Sequence, residues 1–288
     1  MRLMRKIRRL SALIATPTLD GSPPNCRRRL ERLTRAVQWE CIRQVARWRE
    51  VTITCEQLGF SMTIPVGTGI STSLYILRDE LEKEVSFLLY CLRPDMTFLD
   101  IGANFGFYSL LAARRGCRVI AVEPHPTTAK YLLQNLRANG VKDVHVIQKA
   151  LSDTSGTATL YEPHFDPFGS SSLLWREALS RALSVQMVTL DEAIPEDEHI
   201  DMIKLDVEGA EGRVLRGGKS LLQRDRPSIL LELSTAGFEA CSLLTEHGYR
   251  FFTWNGKVLV SISPIALWKV VRRCRAVNVI ALSSDGWE

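Results

Sequence analysis

Fifteen residues, FLDIGANFGFYSLLA at 98–112, constrain this chain more than any other stretch. A short apolar run ends in an acid, Asp100. Two glycines follow, Gly102 and Gly106, and apolar residues then resume at helical spacing. A strand that turns through glycines into a helix is the opening of a βαβ unit, which builds a parallel sheet. Later residues keep up the alternation. RVIAVE (118–123) reads as a strand and TTAKYLLQNLRANG (127–140) as a helix, with Gly140 placed to end it. DVHVIQKAL (143–151), DMIKLD (201–206) and SILLEL (228–233) read as further strands, with helices expected over 210–223 and 237–247. RFFTWNGKVLVSI carries Asn255-Gly256 between two β-rich runs, a hairpin signal, and AVNVIAL (276–282) reads as a last strand. TATLYE (157–162) suits a short hairpin. Near-continuous apolar strands of this kind are buried on both faces by helices.

Before residue 97 the pattern differs. Residues 1–26 are basic and then rich in Pro and Ser, which reads as a loose leader that the domain can do without. From 27 to 50, Leu30, Leu33, Val37, Cys41, Val45 and Trp48 recur at three- and four-residue steps, as on the packing face of one amphipathic helix. Residues 52–76 read as extended and LRDELEKEVSFLLYCL (77–92) as a second helix. The expected organisation is a basic leader and amphipathic helix over 1–50, then one α/β domain over 51–288.

Charge divides the same way. Residues 1–50 hold 13 Lys and Arg against 4 Asp and Glu, whereas the remainder holds 24 against 28. A basic arm suits phosphate contacts. Only Trp39 and Trp48 interleave its arginines, however, and no known RNA module is visible, so a nucleic-acid partner is not expected. Seven widely spaced cysteines with no C-x-x-C pair read as reduced thiols. No apolar run approaches the roughly 20 residues of a membrane span. The patch from Leu10 to Ala15 is also shorter than the roughly 7–15 residues of a signal-peptide core. The expected location is therefore cytoplasmic.

The glycine turn narrows the ligand. In the dinucleotide frame G-x-G-x-x-G, counted from Gly102, Asn104 and Phe107 occupy the second and third glycine positions. The missing middle glycine blocks close approach to a pyrophosphate, and Asp100 beside the turn would repel one. A cationic ligand is favoured instead. S-adenosylmethionine presents an ammonium and a sulfonium there, and no phosphate. Glu123 follows Gly102 by 21 residues, the spacing of the acid that takes a ribose diol.

With these features in place, the chain resembles the FkbM family of S-adenosylmethionine-dependent methyltransferases. The resemblance rests on FLDIGANFGFYSLLAA, VIAVEPHP, ALSDTSGTATLY, GSSSL, VTLDE and DMIKLDVEGAEGRVLRGG, in that order, over about residues 75–255. The first 50 residues match no part of it. The resemblance implies a class I methyltransferase fold: a Rossmann-like, doubly wound, mostly parallel sheet. Here that sheet would carry a C-terminal antiparallel hairpin and an N-terminal helical extension. The implied reaction is methyl transfer, typically to a hydroxyl, on acceptors that in the family include sugars and polyketide-type products. Expected cofactor contacts are Asp100, Gly102, Ala103, Asn104, Gly106, Tyr108, Glu123, Pro124, Ala150 and Leu151. The oligomeric state is open.

The second constellation, IKLDVEGAE, sets Asp206, Glu208 and Glu211 where a strand gives way to a helix. Its strand is expected beside TFLDIG, with Asp206 and Asp100 on neighbouring tips. In methyl transfer to a hydroxyl, positioning can contribute about 7–11 kcal/mol, and a base about 10²–10⁴-fold. Asp206 and Glu208 are the candidate catalytic residues, with His164 as an outside candidate. Glu208 and Glu211 also suit a helix start, where acids oppose the dipole. No metal is expected, although Asp206, Glu208 and Glu232 could present oxygen ligands to Mg²⁺. His125, between two prolines, reads as a turn residue near the adenosine, and GSSSL (169–173) as a loop or a substrate lid. An RNA methyltransferase and a non-catalytic S-adenosylmethionine-binding protein remain as alternatives.

Overall fold

The computed structural model describes residues 10–45, 50–142, 144–163, 180–274 and 276–284. A hairpin of β1 (Glu50–Cys55) and β2 (Phe60–Pro65) forms its own two-stranded sheet. β3 (Thr97–Ile101), β4 (Arg118–Val122) and β5 (Val144–Ile147) are the first parallel strands. A three-stranded sheet holds β6 (Ala150–Ser152), β7 (Gly156–Pro163) and β8 (Ser180–Thr189). β9 (Met202–Leu205) and β10 (Ser228–Ser234) complete the parallel core. β11 (Tyr249–Trp254), β12 (Leu259–Ser261) and β13 (Ala276–Ser283) add an antiparallel flank.

The eight-stranded sheet runs β12-β11-β13-β10-β9-β3-β4-β5. From β3 the chain first winds outward through β4 and β5. It then returns to lay β9 on the other side of β3. Winding therefore reverses between β3 and β9, and a crevice opens at the carboxyl ends of strands at such a point. Alternate residues serve opposite faces. Phe98, Val119, Ala121, Met202, Leu230 and Ile280 enter one core, and Leu99, Ile101, Ile120, Ile203, Leu205 and Leu231 the other. Each of these side chains larger than alanine contributes about 1.5–3 kcal/mol on burial. Asp100 and Lys204 interrupt the first face, and both are buried.

Several elements differ from the sequence reading. DVHVIQKAL is two strands: β5 pairs with β4, and β6 pairs with β8 in the smaller sheet. β8 was not anticipated, although Leu183, Val185 and Met187 alternate there with Ser184 and Gln186. TATLYE belongs to β7, paired antiparallel with β8. The helix expected over 210–223 is two, Glu211–Arg216 and Lys219–Asp225. It breaks where a Cβ at Gly217 would strike the Ser152 carbonyl and one at Gly218 the Leu190 side chain. Residues 52–76 include a helix, Gly69–Leu77, begun by the Thr68 side chain accepting from the Ser71 amide. The helix Pro264–Cys274 was not anticipated; it seats Leu267 and Val271 against the second core.

The N-terminal arm departs most. The helix exists, as Cys26–Val45, but its packed face holds Arg32, Ala36 and Trp39. Leu30 is 64% exposed, and Leu33, Val37 and Val45 also face solvent. The surface beneath explains the reversal, because it offers polar partners. Trp39 stacks on Tyr75 at 4.8 Å, and its Nε1 donates to Thr72 Oγ1 at 2.9 Å. Arg32, 1% exposed, donates to the carbonyls of Leu13, Ile14 and Thr16 and, at 2.7 Å, to Glu80. Residues 10–26 are accordingly no loose leader. Leu10, Leu13 and Leu19 pack on the first core, and the turn at Gly21 closes against Asn255 and Gly256.

Removing Arg32 leaves Glu80 with Arg28 alone and the carbonyls of Leu13, Ile14 and Thr16 without their donor. Arg32→Ala should therefore cost about 1–3 kcal/mol in urea unfolding. Leu33→Ser, on the outward face, should change stability by less than about 0.5 kcal/mol. The opposite ranking would show the helix packed by its leucines.

Candidate functional site

A cavity of about 260 Å³ opens at the carboxyl ends of β3, β4, β9 and β10. Backbone contacts between strand tips build its floor. The amides of Gly102 and Ala103 donate to the Val122 carbonyl at 2.9 and 3.0 Å, and the Asp206 amide donates to the Ile101 carbonyl at 3.0 Å. Gly102 has φ +81°, and a Cβ there would run into the Asp206 carbonyl oxygen. The glycine turn and the second acidic motif thus touch through main chain, which only glycine permits.

Glu123 stands at one end of the cavity. Its Oε2 accepts the Asn104 amide and its Oε1 the His125 amide, both at 2.9 Å. Burial outweighs these bonds and pushes Glu123 up to about 7. His125 does more than make a turn. It lines the cavity and caps the helix Pro126–Ala138 by accepting the Thr128 amide at Nδ1. Nε2 therefore carries the proton and donates to Glu162 at 3.0 Å. Burial lowers the His125 pKa against the pull of Glu162.

Of the expected cofactor contacts, Gly102, Ala103, Asn104 and Tyr108 line the cavity along one wall. Glu123, Pro124, Ala150 and Leu151 line it along another. Asp100 and Gly106 are not in the lining. Gly106 takes φ +92° to start the helix Phe107–Arg114. Asp100 lies behind the wall, 1% exposed, accepting from Ser109 Oγ at 2.5 Å, with Oδ1 unpartnered. Burial raises it to about 6.

The other end of the cavity is acidic. Asp206 and Glu208 line it, together with Glu82 and Glu232. Glu208 is exposed and sits at φ +53° in the turn after β9. Glu211 folds back and accepts the amides of Gly209 at 3.0 Å and Val207 at 3.3 Å, shaping that turn. Lys204, 2% exposed, places Nζ 3.5 Å from Asp206 Oδ2 and 5.3 Å from the Tyr108 ring centre. Burial alone would lower its pKa, but Asp206, Glu82, Glu232 and Asp100 together raise it. Glu82 accepts from the Tyr108 hydroxyl and, at 2.9 Å, from Asn278 Nδ2.

Lys204 and Glu82 were missed. A lysine inside the run Met202–Leu205 is a legible signal, whereas nothing separates Glu82 from the acids around it. Among the described residues no group of three or more His, Cys, Asp or Glu is arranged to hold a metal ion, so the Mg²⁺ trio is not assembled. His164 and GSSSL lie outside the described residues. A larger cleft, about 490 Å³, lies beneath the N-terminal helix. Its charges largely answer one another, as with Arg27 and Glu31 or Arg28 and Glu80, and none of the parallel strands reaches it.

The reversal of winding, the crevice at that reversal and the touching glycine and acid motifs define a Rossmann-like class I methyltransferase architecture. Residues 100–251 match the model of the methyltransferase FkbM domain, and the chain belongs to the FkbM methyltransferase family. The 2-O-methyltransferase NoeI of Sinorhizobium fredii is 29% identical over 153 residues, covering 46% of this chain and 62% of NoeI. The hexuronic acid methyltransferase AglP of Haloferax volcanii is 29% identical over 150 residues, covering 51% of this chain and 59% of AglP. The chain thus spans about three fifths of the length of these curated relatives. A solved FkbM methyltransferase from Methylobacillus flagellatus is 17% identical with a TM-score of 0.41, covering 74% of this chain and 54% of the other.

Two measurements follow. In thermal denaturation Gly102→Ala should be far more damaging than Gly106→Ala. The first drives a methyl into backbone, and the second meets the movable end of the Leu132 side chain. Glu84, behind the acidic end, is pushed by burial up to about 7. The folded state then binds more protons than the unfolded between about pH 4.3 and 7, so this residue's contribution to stability falls as pH rises through that window. Glu84→Gln should raise Tm at pH 8 and leave it nearly unchanged at pH 4.

Proposed function

We propose that this chain is an S-adenosylmethionine-dependent O-methyltransferase acting on a hydroxyl of a small molecule or carbohydrate. The observation that carries the reading is the polarity of the cavity. Glu123 stands at one end, Glu82, Asp206, Glu208 and Glu232 at the other, with the glycine turn between. Among the described residues no Lys or Arg lines it, which suits a cationic ligand and not a pyrophosphate. NoeI, a 2-O-methyltransferase, supports transfer to oxygen, and AglP, a hexuronic acid methyltransferase, supports a sugar-type acceptor.

The residues present fit the cofactor. Each Glu123 oxygen takes one backbone amide and keeps lone-pair capacity for a ribose diol. Val122, Pro124, Leu151 and Leu160 offer apolar surface to a purine, and the carboxylates suit the ammonium and sulfonium. When bound, S-adenosylmethionine supplies a methyl group on a positively charged sulfur. Asp206 is held at that end, 3.5 Å from the Lys204 ammonium. Glu208, on the exposed turn, takes the acceptor hydroxyl proton.

Calorimetric titration should show binding of S-adenosylmethionine and its demethylated product, and none of NAD. Tight NAD binding without a response to the methyl donor would sink the reading. Glu123→Gln should weaken both adenosyl ligands alike, by about 10- to 100-fold for a lost charged hydrogen bond. Glu208→Gln should slow turnover by about 10²–10⁴ and leave cofactor affinity nearly unchanged. The acceptor itself is found by incubating methyl-labelled cofactor with host extract and weighing the product.

A further inference from the structure

The strand registers bring together a row of polar groups that the proposed chemistry does not use in full. β9 and β10 pair with Met202 opposite Ser228 and Leu205 opposite Leu231, so the next step sets Asp206 opposite Glu232. β10 and β13 pair with Glu232 opposite Asn278. Asp206, Glu232 and Asn278 are therefore lateral neighbours on one face at the cavity rim. Asn278 turns its amide nitrogen to Glu82, whose carboxylate also takes the Tyr108 hydroxyl. Glu232 lines the cavity beside Asp206, with Glu82 in the same lining.

Two carboxylates in hydrogen-bonding contact share one proton, because both cannot ionise side by side. The surroundings decide which of the two carries it. Lys204 Nζ lies 3.5 Å from Asp206 Oδ2. Glu232 meets a second carboxylate, Glu82, across the rim. We propose that Glu232 is a protonated positioning residue, donating its hydrogen to Asp206 and so aiming the Asp206 carboxylate into the cavity. The charge of Asp206 raises Glu232 well above the usual carboxylate range, and burial adds to it.

A ligand consequence rests on the S-adenosylmethionine reading. A cation arriving beside the pair favours its doubly ionised form, so cofactor binding expels the shared proton to solvent. No bond to carbon is made or broken in that step; the proton leaves Glu232 Oε and is taken up by buffer.

Two experiments separate the claims. In infrared spectra of the ligand-free protein, the carboxylic-acid carbonyl band that persists to highest pH should be present in the wild type and absent from Glu232→Gln. In Asp206→Asn, where the neighbouring charge is gone, it should disappear at lower pH. Persistence of that band in Glu232→Gln, or its absence from the wild type, overturns the proposal whether or not any cofactor binds. Calorimetry in two buffers of different ionisation enthalpy should show proton release when S-adenosylmethionine binds the wild type, and clearly less with Glu232→Gln. Binding with equal proton release in both proteins also overturns it. Failure of S-adenosylmethionine to bind either protein overturns the cofactor reading instead, and the infrared arm still decides the proton. Circular dichroism of the variants checks that both are folded.

Discussion

One buried ammonium holds the acidic end of the cavity together. Lys204 comes from the centre of the sheet, yet the carboxylates it balances come from separate places. Asp100 sits on β3, Asp206 after β9, Glu232 on β10 and Glu82 before the helix Glu84–Cys91. Two like charges 4 Å apart repel by about 4 kcal/mol at the effective dielectric of a protein surface. Without a cation among them these acids would be driven apart or neutralised. Lys204 costs desolvation energy of its own, and it is stable there because the acids gathered around it answer its charge.

The main-chain contact of Gly102 with Asp206 does the complementary work. It brings the two acidic motifs as close as backbones can come, so the position of Asp206 follows from the turn after β3. Glu211 adds the second restraint by holding the amides of the 206–211 turn. Glu208 is left on a left-handed residue between these anchors. The turn is thus fixed at both ends and exposed at Glu208.

Much of this was written in the chain as periodicity. The runs that became β3, β4, β9 and β10, and the Asn255-Gly256 hairpin, follow from apolar patterning and turn chemistry alone. Glu123 was legible through its spacing from Gly102. The failures share one cause, which is that a partner surface overrode local pattern. The leucine stripe of the N-terminal helix points to water because the surface below it presents Glu80, Thr72 and backbone carbonyls. Asp100 was expected at the ligand and instead supports the wall, since β3 places it on the face that Ser109 covers. Glu82 could not be found at all. Its importance comes from Asn278, 196 positions away, and from Tyr108.

The place of β13 has a consequence for how the molecule is made. This strand, residues 276–283, lies between β10 and β11 and pairs with both. Emerging from a ribosome, β11 has no neighbour on that side until nearly thirty further residues have been added. The rim is in the same position, because Asn278 arrives with the same strand. Non-local pairing of this kind slows folding. The parallel half can collapse during synthesis, but Glu82 gains its second partner only after β13 has slotted in, so the acidic end of the cavity is assembled last.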